Sequence, residues 1–164
     1  MCIRDSFEVL HPQLSDYASA VSSNAVSCVL RVDASQEQKT NFSHDRHPGS
    51  ALLNGDIEWA QEQTLLAQAQ LKSVDFFLVP HHGSQTSSSL AFVQASQPRW
   101  AVVQAGYLNR YGHPAAKVVA RYQSLDVPLI QTVNCGAAYW QSQQPANLGC
   151  ERDLARRYWH FVAK

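Results

Sequence analysis

Three polar clusters follow apolar stretches of the sequence, and each contains side chains that could bind a metal ion or assist hydrolysis. The clusters cover residues 55–58, 80–84 and 109–114. Because the carboxyl ends of parallel strands meet at one edge of an α/β sheet, the clusters can converge on a single crevice. Imidazole nitrogen and carboxylate oxygen are ligands for zinc or manganese, and a bridging aspartate can hold two ions about 4 Å apart. Asp56 fits the bridging role.

Alternating strands and helices must position these clusters, and this alternation predicts an α/β layer architecture. Strands are predicted over residues 7–10, 26–32, 51–54, 74–80, 100–105, 129–133 and 137–140, with an exposed polar loop over 34–50. A first helix is predicted after Gly55-Asp56, with the apolar face Ile57, Ala60, Thr64, Ala67 and Leu71. Further helices are predicted near residues 88–95 and from Pro114, the last with the apolar stripe Val118, Tyr122 and Leu125.

Composition excludes several classes of protein. The chain has 164 residues, with 13 Lys and Arg against 13 Asp and Glu, so the overall charge makes no case for nucleic acid. Its apolar runs are only a handful of residues long, whereas a helix that crosses a bilayer needs about 20. The four cysteines form no CxxC pair, so we expect buried or free thiols and neither a zinc ribbon nor a disulfide framework.

Longer motifs carry a resemblance to a known family. They are Asn24 with Ser27-Cys28-Val29-Leu30, Leu53-Asn54-Gly55-Asp56-Ile57-Glu58, Leu78-Val79-Pro80-His81-His82-Gly83-Ser84-Gln85-Thr86-Ser87-Ser88-Ser89, Ala105-Gly106-Tyr107-Leu108-Asn109-Arg110-Tyr111-Gly112-His113-Pro114, Thr132 with Gly136-Ala137, and Arg156-Arg157-Tyr158-Trp159-His160. Across nearly the whole chain these motifs resemble the C-terminal metallo-β-lactamase-fold domain of the ComEC family, the channel proteins of bacterial DNA uptake. The His-x-His-x-Asp-His signature of that fold is absent. The resemblance therefore implies an α/β fold that is the second, C-terminal half of an αββα sandwich.

The resemblance also implies roles for individual residues. Asp56 would bridge up to two divalent ions, zinc or manganese, and the pair His81-His82 would supply a further ligand, with His82 preferred. Arg110 and His113 would assist catalysis beside Asp56 and His82. The residues implied to contact the substrate phosphate are Ser84, Thr86, Asn109, Arg110 and His113. With few ligands present, we expect the fragment to be inactive on its own.

The implied function is that of a metal-dependent nuclease or phosphodiesterase within a DNA-uptake protein. Its partners would be DNA, single-stranded or incoming duplex, and a membrane channel segment of the same polypeptide. The domain would belong to an inner-membrane protein and face the periplasm or the outside. The alternatives are a domain that binds or guides DNA without cutting it, and a metal hydrolase of another ester. Residues 1–6 are interpreted as a non-native remnant, 7–145 as the partial domain and 146–164 as a tail.

Each motif also has an ordinary structural explanation. Asp56 could cap the helix that follows it. Residues 109–114 could only shape the start of the next helix, and Ser84, Thr86 and Ser87 could only make hydrogen bonds within their loop. His11 is a weak candidate for a further ligand. Residues 44–47 and 156–159 are more typical of solvated loop and tail than of metal and DNA sites.

Overall fold

A six-stranded sheet forms the centre of the fold in the computed structural model, which describes residues 5–19, 22–34, 49–155 and 157. Its strands lie in sequence order: β1 (Ser6–His11), β2 (Val29–Asp33), β3 (Ser50–Asn54), β4 (Phe76–Leu78), β5 (Trp100–Val103) and β6 (Leu129–Gln131). The pairs β1–β2 and β2–β3 are antiparallel, and β3 to β6 are parallel. The predicted α/β class is confirmed.

Three helices connect the parallel strands, namely α2 (Trp59–Ala67), α3 (Leu90–Ser96) and α4 (Ala116–Ser124). Short helices lie outside these connections: α1 (Leu14–Ser19), α5 (Thr132–Cys135) and α6 (Glu151–Leu154). A second sheet pairs β7 (Ala138–Trp140) with β8 (Leu148–Cys150). No helix in the described ranges is long and apolar enough to cross a membrane.

The hydrophobic core lies on one face of the large sheet. Side chains from the centres of its strands, such as Leu52 and Phe77, pack there against Leu65, Phe92 and Tyr122 from α2, α3 and α4. Phe77 lies 5.8 Å from the ring of Phe92 and 6.4 Å from that of Tyr122. The helices therefore cover this face, and the strands are held with their carboxyl ends at one edge.

The opposite face of the same sheet, which we call the rear face, is also apolar. The strand register places on it Phe7, Val9, Leu30, Val32, Leu53, Phe76, Leu78, Trp100, Val102 and Ile130. Phe7 and Val9 are 69% and 54% exposed, and most of the others are half-buried. Trp140 of β7 packs against Phe76, with ring centroids 5.5 Å apart. Parallel sheets normally have both faces covered, so the rear face has the composition of a second packing surface.

The predicted apolar face of α2 is wrong within the helix, although Ile57 before it is buried and Leu71 after it packs against the core. Ala60, Thr64 and Ala67 are exposed, whereas Glu62 and Leu65 are buried. The helix begins at Trp59 with Glu58 as its N-cap, and Gln61 Oε1 accepts a hydrogen bond from Glu58 N. Asp56 is therefore not the cap. The stripe on α4 is confirmed, since Val118 and Tyr122 are fully buried and Leu125 packs against the core.

The expectation of free or buried thiols is wrong for two of the four cysteines. Cys135 at the end of α5 and Cys150 at the end of β8 form a disulfide. The bond ties the β7–β8 unit to the segment that follows β6. The strand predicted from residue 26 begins at Val29, because Val26 ends a 3-10 turn over Ser23–Val26. The strand predicted over 129–133 ends at Gln131, because α5 begins at Thr132. The interpretations of residues 1–4, 44–47, 156 and 158–160 lie outside the described residues.

Candidate metal and nucleic-acid site

The three polar clusters meet at the carboxyl edge of the parallel strands, as predicted. They follow β3, β4 and β5, and backbone hydrogen bonds connect them. His81 N donates to Gly55 O at 3.0 Å, and Ala115 N donates to Gly83 O at 2.9 Å. The loop after β4 is thus joined to both neighbouring loops, which fixes the positions of the side chains that it carries.

The histidine pair has an unusual backbone. His81 and His82 have φ of +47° and +53°, and Gly83 follows at +79°. For a residue with a Cβ atom the left-handed region costs about 1–2 kcal/mol, and such strain is concentrated at functional sites. A Cβ atom on Gly83 would lie 2.7 Å from Pro114 Cβ, so glycine allows the loops after β4 and β5 to touch.

His82 and Asp56 face each other across the edge of the sheet. His82 Nδ1 lies 2.8 Å from Gln104 O, which can only accept, so Nδ1 carries a hydrogen. His82 Nε2 lies 3.5 Å from Asp56 Oδ1, and both side chains are about half exposed. A bare imidazole nitrogen and a carboxylate oxygen would repel each other. A cation between the two atoms would offset this repulsion.

The donor atoms of His82 and Asp56 fit a metal ion. Two ligands bound at about 2.0–2.1 Å to a tetrahedral zinc ion stand about 3.4 Å apart, close to the observed 3.5 Å. Histidines that bind metals commonly donate their other ring N–H to a backbone carbonyl, as His82 does to Gln104. The described residues contain no group of three or more His, Cys, Asp and Glu side chains that could hold an ion. The arrangement thus presents two donor atoms at the spacing of metal ligands.

His81 points to a different carboxylate. Its Nδ1 lies 3.2 Å from Glu58 Oε1, but this buried nitrogen makes no hydrogen bond of good geometry to a described residue. The same Glu58 oxygen accepts a hydrogen bond from the Thr86 hydroxyl at 3.1 Å. Glu58 was not among the predicted site residues, although it lies two positions after Asp56 in the same loop. The two histidines therefore have separate acidic partners, and His82 is the one beside Asp56.

His113 lies beside His81, with ring centroids 6.1 Å apart. Burial lowers the pKa of His113, and the neighbouring His81 and His82 lower it further. Asn109 braces this loop, because its side chain donates to His113 O at 2.6 Å and accepts from His113 N at 2.9 Å. Asn109 thus stabilises the conformation of the loop, and its contact with substrate remains a prediction.

Tyr111 and Arg110 form the outer wall of the site. The Tyr111 ring stacks on His113 at 5.7 Å between centroids, and the Arg110 guanidinium lies 4.7 Å from the centre of the Tyr111 ring. A cleft of about 380 Å³ opens beside them, lined by His82, Gln104, Ala105, Gly106, Asn109, Tyr111, His113 and Thr132. The sequence indicated this loop but not the role of Tyr111, because stacking depends on how the loop folds back.

Ser84 and Thr86 follow the histidine pair in the loop after β4. Their hydroxyl oxygens are 3.0 Å apart, and Ser84 is almost fully buried. These contacts fit the structural alternative of hydrogen bonds within the loop, while phosphate contact remains a prediction. His11 is buried elsewhere at this edge, with Nε2 donating to Ala25 O at 2.8 Å and Nδ1 lying 3.2 Å from Asp16. Both its nitrogens are engaged within the protein.

No family model matches the chain, but several curated proteins do. It is 35% identical over 134 residues to the competence protein ComA of Neisseria gonorrhoeae, which covers 80% of this chain and 17% of that protein. It is 31% identical over 135 residues to ComE operon protein 3 of Bacillus subtilis, a match that covers 82% of this chain and 16% of that protein. It is 38% identical over 114 residues to the uncharacterized protein YcaI of Escherichia coli, covering 69% and 14%. The chain spans less than a fifth of the length of these relatives.

Proposed function

From the homology of the chain to a segment of bacterial competence proteins, we propose that it is part of a metal-dependent phosphodiesterase that acts on DNA during uptake. The carrying observation is the pairing of Asp56 Oδ1 with His82 Nε2, which has the spacing of two ligands of one ion. The apolar rear face supports the proposal that the chain is half of a metallo-β-lactamase-type sandwich, because a second layer would cover it.

Each side chain at the site would have a separate role in the reaction. Asp56 and His82 would hold zinc or manganese, and His81 would stay on Glu58 or join as a ligand. When bound, such an ion lowers the pKa of a water molecule towards 7 and stabilises charge on phosphate oxygen. Arg110, at the outer wall, would bind a phosphodiester oxygen and offset the negative charge that develops there. His113 and Asn109 would line the path of the substrate.

The test uses the longer protein that contains this chain and measures cleavage of single-stranded and duplex DNA with and without Mn²⁺ or Zn²⁺. We expect Asp56→Ala and His82→Ala to remove most of the turnover, whereas Asp153→Ala, an exposed carboxylate change on α6, leaves it unchanged. Unchanged cleavage in both site variants would reject the proposal. Cleavage of a carboxylic or choline ester instead of DNA would favour another metal hydrolase.

A second function is favoured by the small number of ligands. The described residues contribute only His82 and Asp56 to one location, whereas catalytic zinc sites use three protein ligands. A domain that binds or guides DNA without cutting it needs no such set. In that case DNA affinity falls steeply with salt, because phosphate contacts release counterions, and added metal has no effect on it.

The location of the domain follows from the same proposal. A disulfide such as Cys135–Cys150 persists in oxidising compartments, which supports a domain outside the cytoplasm, attached to a channel segment of the inner membrane. Cys28 is a free and exposed thiol. In spheroplasts we expect it to react with a membrane-impermeant maleimide, and reaction only after permeabilisation would contradict this orientation.

A further inference from the structure

A carboxylate is buried beneath the candidate site without contacting it. Glu62, on α2, is 0% exposed. One of its oxygens accepts a hydrogen bond from Ser88 N at 2.5 Å, and the other accepts from Ser89 N at 2.8 Å. An isolated buried carboxylate is costly, so its two bonds to consecutive backbone N–H groups are strong determinants of the local structure. We propose that Glu62 is a positioning residue that holds the His81-His82 pair in its binding conformation through residues 87–89.

The segment that Glu62 holds, residues 87–89, contains a strained backbone position. Ser88 has φ of +56°, in the region that favours glycine. Arg121 of α4 donates to Ser87 O at 2.9 Å and to Ser88 O at 3.0 Å, so it holds the carbonyl side of the turn while Glu62 holds the N–H side. The Tyr122 hydroxyl lies 3.3 Å from Ser88 Oγ. Side chains of α2 and α4 thus hold the turn through both its N–H groups and its carbonyl groups.

Ser87 connects this turn to the histidines. Ser87 is 2% exposed, and its hydroxyl lies 2.9 Å from Pro80 O and 3.1 Å from Ser84 O. Pro80 directly precedes His81, and Ser84 directly follows Gly83. The hydroxyl of Ser87 therefore lies between the two ends of the left-handed His81–His82–Gly83 segment. If residues 87–89 move, both ends of that segment lose their support.

The inference rests on the proposed function in one respect, namely that His82 binds a metal ion. Groups that orient a metal ligand typically change metal affinity 10- to 100-fold when they are mutated. Glutamine at position 62 keeps one acceptor oxygen and replaces the other with an NH₂ group, which faces a backbone donor. We therefore expect Glu62→Gln to displace the turn and weaken binding at a site that it does not touch.

The experiment measures Zn²⁺ binding by titration calorimetry and the His82 ring N–H by NMR, on folded protein isolated by size-exclusion chromatography. We expect Glu62→Gln to raise the Zn²⁺ Kd by about 10- to 100-fold and to shift or broaden the His82 Nδ1–H signal. The matched control is Asp75→Asn. That carboxylate accepts Ser50 N at 3.0 Å at the opposite edge of the sheet, so its loss should leave both readouts unchanged.

Ser87→Ala provides a second variant if Glu62→Gln does not fold. It removes the link to Pro80 and Ser84 while leaving Glu62 in place, and we expect about a tenfold rise in the Zn²⁺ Kd. Wild-type affinity and an unchanged His82 signal in these variants would overturn the inference, even if His82→Ala abolishes binding. If the wild type binds no Zn²⁺, the metal proposal fails, and the NMR signal still decides whether Glu62 positions His82.

Discussion

Gly83 offers a quantitative test of how the loops after β4 and β5 are packed. With φ of +79°, an alanine there costs about 1–2 kcal/mol in backbone strain. Its Cβ atom would also lie 2.7 Å from Pro114 Cβ and 3.0 Å from Pro114 Cα, and such overpacking costs about 1–3 kcal/mol. We expect Gly83→Ala to lower the free energy of unfolding by about 2–5 kcal/mol, a large part of the usual 5–15 kcal/mol.

Alanine substitutions at two other glycines distinguish the cost of backbone strain from the cost of overpacking. Gly112 has φ of +66°, but a Cβ atom on it would meet nothing within 4 Å, so Gly112→Ala should cost only the strain, about 1–2 kcal/mol. Gly106 is not in the left-handed region, and its Cβ atom would meet only Asn109 Cβ at 4.0 Å. Gly106→Ala should be neutral or stabilising by up to about 1 kcal/mol, because it restricts the unfolded chain.

The assay is urea unfolding of the four proteins followed by circular dichroism. With an m-value of about 2 kcal/mol/M, Gly83→Ala should lower the midpoint by roughly 1–2.5 M, and Gly112→Ala by roughly 0.5–1 M. Equal losses for Gly83→Ala and Gly112→Ala would refute the reasoning, because the contact with Pro114 would then contribute nothing. A loss in Gly106→Ala as large as in Gly112→Ala would refute the strain argument.

Three further predictions concern the disulfide, Glu62 and Arg110. The Cys135–Cys150 bond closes a loop with a sequence separation of 15, so replacing both cysteines with serine should lower the free energy of unfolding by about 3 kcal/mol. Wild-type urea unfolding curves that coincide with and without reductant would contradict this. Burial raises the pKa of Glu62 above 4.5, so the folded state binds more protons and the stability that this group contributes falls as pH rises from 4.5 through the raised pKa. The stability gap between wild type and Glu62→Gln should therefore be largest near pH 4 and narrower at pH 7 in urea titrations, and a gap that widens with pH would reverse the argument. Arg110→Ala should reduce the slope of log Kd against log salt for a single-stranded oligonucleotide by about 0.7, measured by fluorescence anisotropy, whereas an unchanged slope would remove Arg110 from the phosphate contacts.

Local patterns predicted the sheet and the meeting of the three clusters because both depend on strand order and direction. Asp56 and His82 follow apolar strands directly, and the parallel register brings them within 3.5 Å. The face of α2 could not be predicted in this way. Glu62 is a polar residue in a core position, and its carboxylate is satisfied by N–H groups 26 and 27 residues away. The buried face of α2 is therefore not the one that its alanine and threonine residues suggest.

The disulfide and the outer wall of the site were missed for a related reason. Cys135 and Cys150 belong to α5 and β8, and their approach depends on the pairing of β7 with β8 rather than on any spacing motif. Tyr111 stacks on His113 because Asn109 folds the loop back on itself. Contacts made between elements, or within an irregular loop, have no periodic signature in the sequence.

The apolar rear face also affects the calorimetric behaviour of the chain. The heat capacity of unfolding arises mainly from apolar surface that becomes hydrated when the protein unfolds. Side chains such as Phe7 and Val9 are already hydrated in the folded chain, so they contribute little to that change. The heat-capacity change of unfolding should therefore fall below the usual value of about 12–15 cal/mol/K per residue. A layer that covers the rear face would bind with a negative heat-capacity change and restore the missing increment.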